Sequence, residues 1–259
     1  EMVSIERANF AARADFNRPL RCIRIEAGDS TKVLPELHLG SRESIIWLDY
    51  DSDLRGPVLE DCRIVCSETK PGSVLLVTLN AHVAQIRNQK DEADHDLKPL
   101  DALKRIAPDL VPATLVPGDL SGSKFPSVLA ELLIAHLQHC THKANPENRF
   151  VPIFNYSYKD NAPMATVGGL IADAEFESKL AGCRLAERYE FVTGEKQFEI
   201  NVPPLTMKEK FVLDRLLPSV NELTGEETVE ELGFELKTSQ LQAYRNFYRH
   251  YPMFGEMQF

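Results

Sequence analysis

Apolar runs alternate with amphipathic stretches along the first eighty residues. Met2-Val3-Ser4-Ile5-Glu6 reads as a strand, and Arg7 to Asn17, rich in alanine, as a helix stopped by Arg18-Pro19. Cys22-Ile23-Arg24-Ile25-Glu26 reads as a second strand that runs into Gly28-Asp29-Ser30, where Asp29 or Ser30 can cap a short helix, Thr31 to Leu37. The run Ser44 to Asp49 is apolar until Asp49, Asp51 and Asp53 end it, which predicts a fully buried strand opening onto a polar edge. On that basis Trp47 is expected in the core, with truncation to Ala costing about 3–5 kcal/mol. A helix from Pro57 to Thr69, a break at Lys70-Pro71-Gly72 and a strand from Ser73 to Leu79 complete four strand-helix repeats. Such alternation implies right-handed crossovers and a parallel sheet.

The rhythm then changes. Residues 81–118 carry a charged stretch, Lys90 to Asp96, and a helix, Leu100 to Ile106, and read as an insertion or lid on a solvated surface. A long helix, Pro126 to Thr141, restores the pattern. Phe150 to Tyr158 and Met164 to Ile171 flank the turn-forming Lys159-Asp160-Asn161-Ala162-Pro163 and predict an antiparallel hairpin. From Asp173 on, the chain reads as helix, a strand at Gln197 to Val202, a helix opened by Thr206 and Glu209 in capping-box spacing, and an aromatic helix. The expected division is a domain over 1–173 and a mainly helical extension over 174–259 packed on it.

Hydrophobic residues at 43% and charged ones at 26% indicate a globular chain, and a formal net charge of -10 disfavours loose attachment to nucleic acid or anionic lipid. No apolar run reaches the roughly 20 residues a bilayer crossing needs, so a cytoplasmic protein is expected. The five cysteines, Cys22, Cys62, Cys66, Cys140 and Cys183, are scattered among apolar neighbours and read as reduced core thiols. His136, His139, Cys140 and His142 lie near one helix face without a partner cluster for zinc, and Gly118 to Lys124 fails the phosphate-loop spacing.

Ligands of open α/β sheets bind at the carboxyl ends of the strands, and here those ends are acidic. Glu6 can accept both hydroxyl hydrogens of a ribose. Gly28 lets backbone approach an adenine, whose amino group Asp29 can meet, with Ser30 beside it; helix capping accounts for the same residues. Asp49, Tyr50, Asp51 and Asp53 form the densest cluster. With Asn80, Asp49 and Asp51 also suit an all-oxygen magnesium site, although a solvated loop explains them more simply. The tail from Tyr244 to Phe254 interleaves aromatic and basic residues, which suits docking or a protein partner better than nucleic acid in so acidic a chain.

Met2 to Glu6, Asp15-Phe16-Asn17-Arg18-Pro19, Ile45 to Asp51, Gly72-Ser73-Val74-Leu75 and Ala162 to Gly169 resemble a bacterial family named putative O-methyltransferases. The resemblance spans most of the chain. It implies a Rossmann-like class I methyltransferase fold, mostly parallel with a terminal antiparallel hairpin, and S-adenosylmethionine as cofactor. Glu6, Gly28, Asp29, Ser30, Asp49 and Tyr50 would then bind the cofactor, and Asp49 and Asp51 would face the sulfonium or the methyl acceptor. Members of this class hold the cofactor's amino-acid end in a glycine-rich loop after their first strand; nothing before Met2 supplies it here, so upstream sequence is expected. The alternative is a catalytically degenerate binding or assembly module. Methyl transfer depends mainly on proximity, so the acceptor leaves no trace in the sequence.

Overall fold

The computed structural model describes residues 1–86, 95–189, 191–219 and 223–250. Lys90 to Asp94 of the charged stretch and Tyr251 to Phe254 of the aromatic tail lie outside them. The chain divides into two compact units, 1–199 and 200–259.

The first unit opens with strand β1 (Met2–Glu6), helix α1 (Ala8–Asn17), strand β2 (Ile23–Ala27) and the single turn α2 (Ser30–Val33). Strand β3 (Ile45–Asp49), helix α3 (Gly56–Glu68) and strand β4 (Ser73–Asn80) follow. Pro57 sits in the first turn of α3, where the missing N–H costs nothing. Next come α4 (Val83–Ile86), α5 (Pro99–Ile106) and the twenty-residue α6 (Phe125–Ala144). Strands β5 (Arg149–Asp160) and β6 (Ala162–Ala172) form the expected hairpin, turning at Asn161 with φ 54. The left-handed region suits Asn better than most residues. Helices α7 (Ala174–Cys183) and α8 (Leu185–Arg188) precede the short edge strand β7 (Phe198–Ile200).

The strands do not make one mostly parallel sheet. β1 and β2 pair in parallel as a separate ribbon, and five strands form a mixed sheet in the order β3-β4-β6-β5-β7. Within it β3 and β4 are parallel, whereas β6 runs antiparallel to both β4 and β5. The local repeat specifies each strand and its crossover, but the hairpin returns its second arm to the flank of β4. That insertion makes the sheet mixed.

One face of the sheet packs on α3 and α6. Leu75, Val77 and Leu79 from β4 meet Val58, Cys62 and Val65 of α3 and Leu129, Leu133 and Leu137 of α6 in one core. Each such side chain contributes about 1.5–3 kcal/mol on burial. Ile86, Ala102 and Leu103, from the 81–118 interval, join the same core, as does Leu120 just after it. At Gly169 a Cβ would collide with the Val151 carbonyl and the Phe150 ring, so the hairpin's close approach beside its bulge at Pro152 and Phe154 requires glycine.

Trp47 is not buried: it is 62% exposed, and Ile45 is 82% exposed. Among the described residues β3 pairs with β4 alone and is a sheet edge, with Leu48 turned into the core and Ile45 and Trp47 on the other face. Trp47 lies beside its neighbour strand instead, its Nε1 donating to Thr78 Oγ1 at 3.0 Å. Thr78 Oγ1 is 2.9 Å from Thr166 Oγ1 on β6. The cysteines also split: Cys62, Cys66 and Cys140 are buried free thiols, but Cys22 and Cys183 are exposed.

The second unit holds helices α9 (Met207–Arg215), α10 (Gly225–Leu232) and α11 (Thr238–Phe247) around Leu213, Leu223, Leu236, Leu241 and Tyr244. Thr206 and Glu209 make the expected capping box. Tyr244, from the aromatic tail, is fully buried, and its hydroxyl donates to Asp214 Oδ1 at 2.5 Å. No helix among the described residues is long and apolar enough to cross a membrane.

Candidate functional site

Glu6 and Ala27 are register partners at the carboxyl ends of β1 and β2, and Gly28 N donates to Glu6 O at 2.8 Å. This parallel pairing brings Glu6 and the Gly28-Asp29-Ser30 turn to the same end of the ribbon. Ser4 Oγ donates to Glu6 Oε1 at 3.2 Å, which orients the carboxylate. Gly28 adopts φ +158, and a Cβ there would press on Val33 at 3.0 Å. Asp29 occupies the N-cap position of α2, yet its side chain makes no capping bond; it is exposed and 3.5 Å from Lys32 Nζ. Ser30 does not cap either. Its hydroxyl reaches away and donates to Asp61 Oδ2.

The loop after β3 is fastened to the end of β4 by Tyr50 N to Thr78 O at 3.0 Å and Asn80 N to Ser52 O at 3.0 Å. Asn80 Oδ1 accepts from His82 N at 2.9 Å, which closes the end of β4. Asp49 and Asp51 are exposed. Partial burial, then repulsion from Asp51, holds the Asp49 carboxyl above its ordinary range. Asp53 is fully buried, its Oδ1 accepting from Arg55 Nε while Oδ2 has no hydrogen-bonding partner among the described residues. No group of three or more His, Cys, Asp or Glu among the described residues is arranged to hold a metal ion.

The loops after β2 and β3 meet on one side chain that sequence reasoning did not single out. Tyr50 Oη donates to Asp61 Oδ2 at 2.5 Å, on the oxygen that also receives the Ser30 hydroxyl. Asp61 is 0% exposed, in the second turn of α3, and its Oδ1 has no partner among the described residues. Burial first, then the hydrogen bond to Asp61 and its charge, pushes the Tyr50 phenol above the ordinary tyrosine range. Asp61 shares the buried face of α3 with Val58, Cys62 and Val65. A carboxylate at an apolar-face position of an amphipathic helix was the available signal.

A cavity of about 490 Å³ opens elsewhere, along α3 and α6, with Arg63, His136, His139, Cys140 and Lys143 in its lining. Burial lowers the proton affinity of His136 and raises the pKa of the Cys140 thiol, the form that is not nucleophilic.

The model of the family described as "Putative O-methyltransferase" matches residues 1–259. The chain belongs to that family. Among solved structures, a LepI variant in complex with SAH and a substrate analogue is similar over 66% of this chain at 10% sequence identity and a TM-score of 0.32. The chain spans about a third of that protein's length, the match covering 36% of it. A search of curated proteins found no match.

Proposed function

We propose that this protein is an S-adenosylmethionine-dependent O-methyltransferase whose cofactor lies across the carboxyl ends of β1, β2 and β3. The observation that carries this reading is the convergence of those ends, with the Gly28 turn bonded to Glu6 and with Ser30 and Tyr50 sharing Asp61. The residues fit a nucleoside. Glu6 presents a carboxylate at the end of β1, beside the Gly28 turn that is bonded to it.

In this reading Glu6 accepts from the two ribose hydroxyls, and Gly28, Asp29 and Ser30 receive the base. The cofactor supplies a methyl group on a positively charged sulfur. Asp49 and Tyr50 line the cofactor's reactive end, and Asp49, with Asp51 behind it, takes the proton that a hydroxyl acceptor releases. A carboxyl with raised proton affinity suits that task better than an ordinary one.

The test is calorimetry with S-adenosylmethionine and S-adenosylhomocysteine on the protein and on Glu6→Ala. Binding by the wild type is expected, and the variant should lose about 1.5–3 kcal/mol for each charge-assisted hydrogen bond removed. An absence of heat with either compound would overturn the reading. Equal binding by both proteins would keep the cofactor and remove Glu6 from its site.

A further inference from the structure

Asp61 is buried, ionisable and held by hydroxyls alone. No ion pair to it occurs among the described residues, and its two donors come from segments far apart in sequence, Ser30 at 31 residues and Tyr50 at 11. Burying a carboxylate is unfavourable unless donors replace the lost water. Here both donors are directed to Oδ2, which leaves the α2 turn and the loop after β3 fixed to one atom of α3. An apolar residue in the second turn of α3 would pack against the core as well as Val58 or Cys62 does, so helix formation does not call for an acid at that position. The acid matters for what it holds.

We propose that Asp61 is the positioning residue of the strand-end site: its carboxylate clamps the loop after β2 to the loop after β3 and thereby sets the cleft between them. The ligand named for that cleft rests on the methyltransferase reading; the clamp itself does not. Ser30 and Tyr50 each have one hydroxyl hydrogen, and each gives it to Asp61. Their hydroxyls therefore meet a ligand as acceptors, with the lone pairs that face away from Asp61, while the Tyr50 ring packs against the core. A site arranged in this way favours a ligand that donates hydrogen bonds.

Asp61→Asn keeps the shape of the side chain and removes its charge, so the variant should fold. Two readouts are taken, S-adenosylhomocysteine binding by calorimetry and hydrogen exchange over 28–33 and 49–55. The variant is expected to bind about tenfold more weakly, the loss of one charge-assisted bond. Exchange should rise in both segments and stay unchanged in α6. Tyr50→Phe should cost a similar factor, and the double variant no more than the worse single one, because both changes break the same contact. Additive losses would make Asp61 a residue acting independently of Tyr50 and would overturn the proposal, as would wild-type affinity in Asp61→Asn. If the wild type itself shows no heat, the cofactor reading fails, and exchange alone decides: raised exchange in both loops supports the clamp, and unchanged exchange overturns it.

Discussion

At the scale of single residues, the organising chemistry lies one layer behind the acids that end the strands. Glu6 and Asp49 end β1 and β3 and Asp29 follows β2, while the side chains of Ser30 and Tyr50 are tied through Asp61. The Tyr50 phenol gives this arrangement a measurable consequence. Its pKa is raised in the folded state, so the folded protein holds that proton more tightly than the unfolded chain does. The stabilisation is complete below the unfolded value, about pH 10, and is lost as pH rises through the folded value. Alkaline titration of phenolate absorbance should therefore find one fewer late-ionising tyrosine in Tyr50→Phe than in the wild type. Equal titration curves apart from a normal phenol would show Tyr50 to be solvated. The strand-end acids were legible because they interrupt apolar runs. Asp61 was not, because inside a helix a lone acid registers only once the buried face is known.

At the scale of elements, the helices, the hairpin and the capping box follow from local signals such as Pro57, Asn161 and the Thr206–Glu209 pair, and the structure keeps them within a few residues of expectation. The burial of β3 could not be read the same way. An unbroken apolar run from Ile45 to Leu48 fits a strand buried on both faces and equally an edge strand whose outer face stays apolar, since alternation is the only sequence clue to a solvent face. Pairing decides between them: β3 takes β4 on one flank, Ile45 opposite Val74, and among the described residues no strand takes the other. Trp47 is the single tryptophan of the chain, so its emission reports this strand alone. It should be quenched readily by acrylamide, and Trp47→Ala should cost only about 1 kcal/mol, roughly the bond to Thr78. Shielded emission together with a loss of several kcal/mol would return the ring to a core.

At the scale of the whole molecule, each of the two units has a core of its own. That of residues 1–199 draws on nearly every element from α2 to β6, including the 81–118 interval. Leu137, fully buried on α6, sits in it, and its carbonyl accepts from Thr141 Oγ1 at 2.8 Å. Leu137→Ala should cost about 2–5 kcal/mol in chemical denaturation, through lost burial and the void left behind. A cost under 1 kcal/mol would mean that the helix is not seated on the sheet as described. The net charge of -10 has its structural counterpart in acids left on the surface, and in two, Asp53 and Asp61, that are enclosed near the strand ends.

The place of β6 between β4 and β5 also bears on how the chain is made. Thr78 and Thr166, opposed across β4 and β6, are 88 residues apart, so β4 cannot complete its hydrogen bonding until the hairpin has left the ribosome. Until then its inner flank is an unpaired strand edge flanked by apolar side chains, the kind of surface that recruits other chains. The same long loop closure places the molecule among slow folders, because the entropy of joining distant segments is lost before the contacts between them form. Synthesis of the hairpin is thus the step at which a growing chain passes from vulnerable to protected.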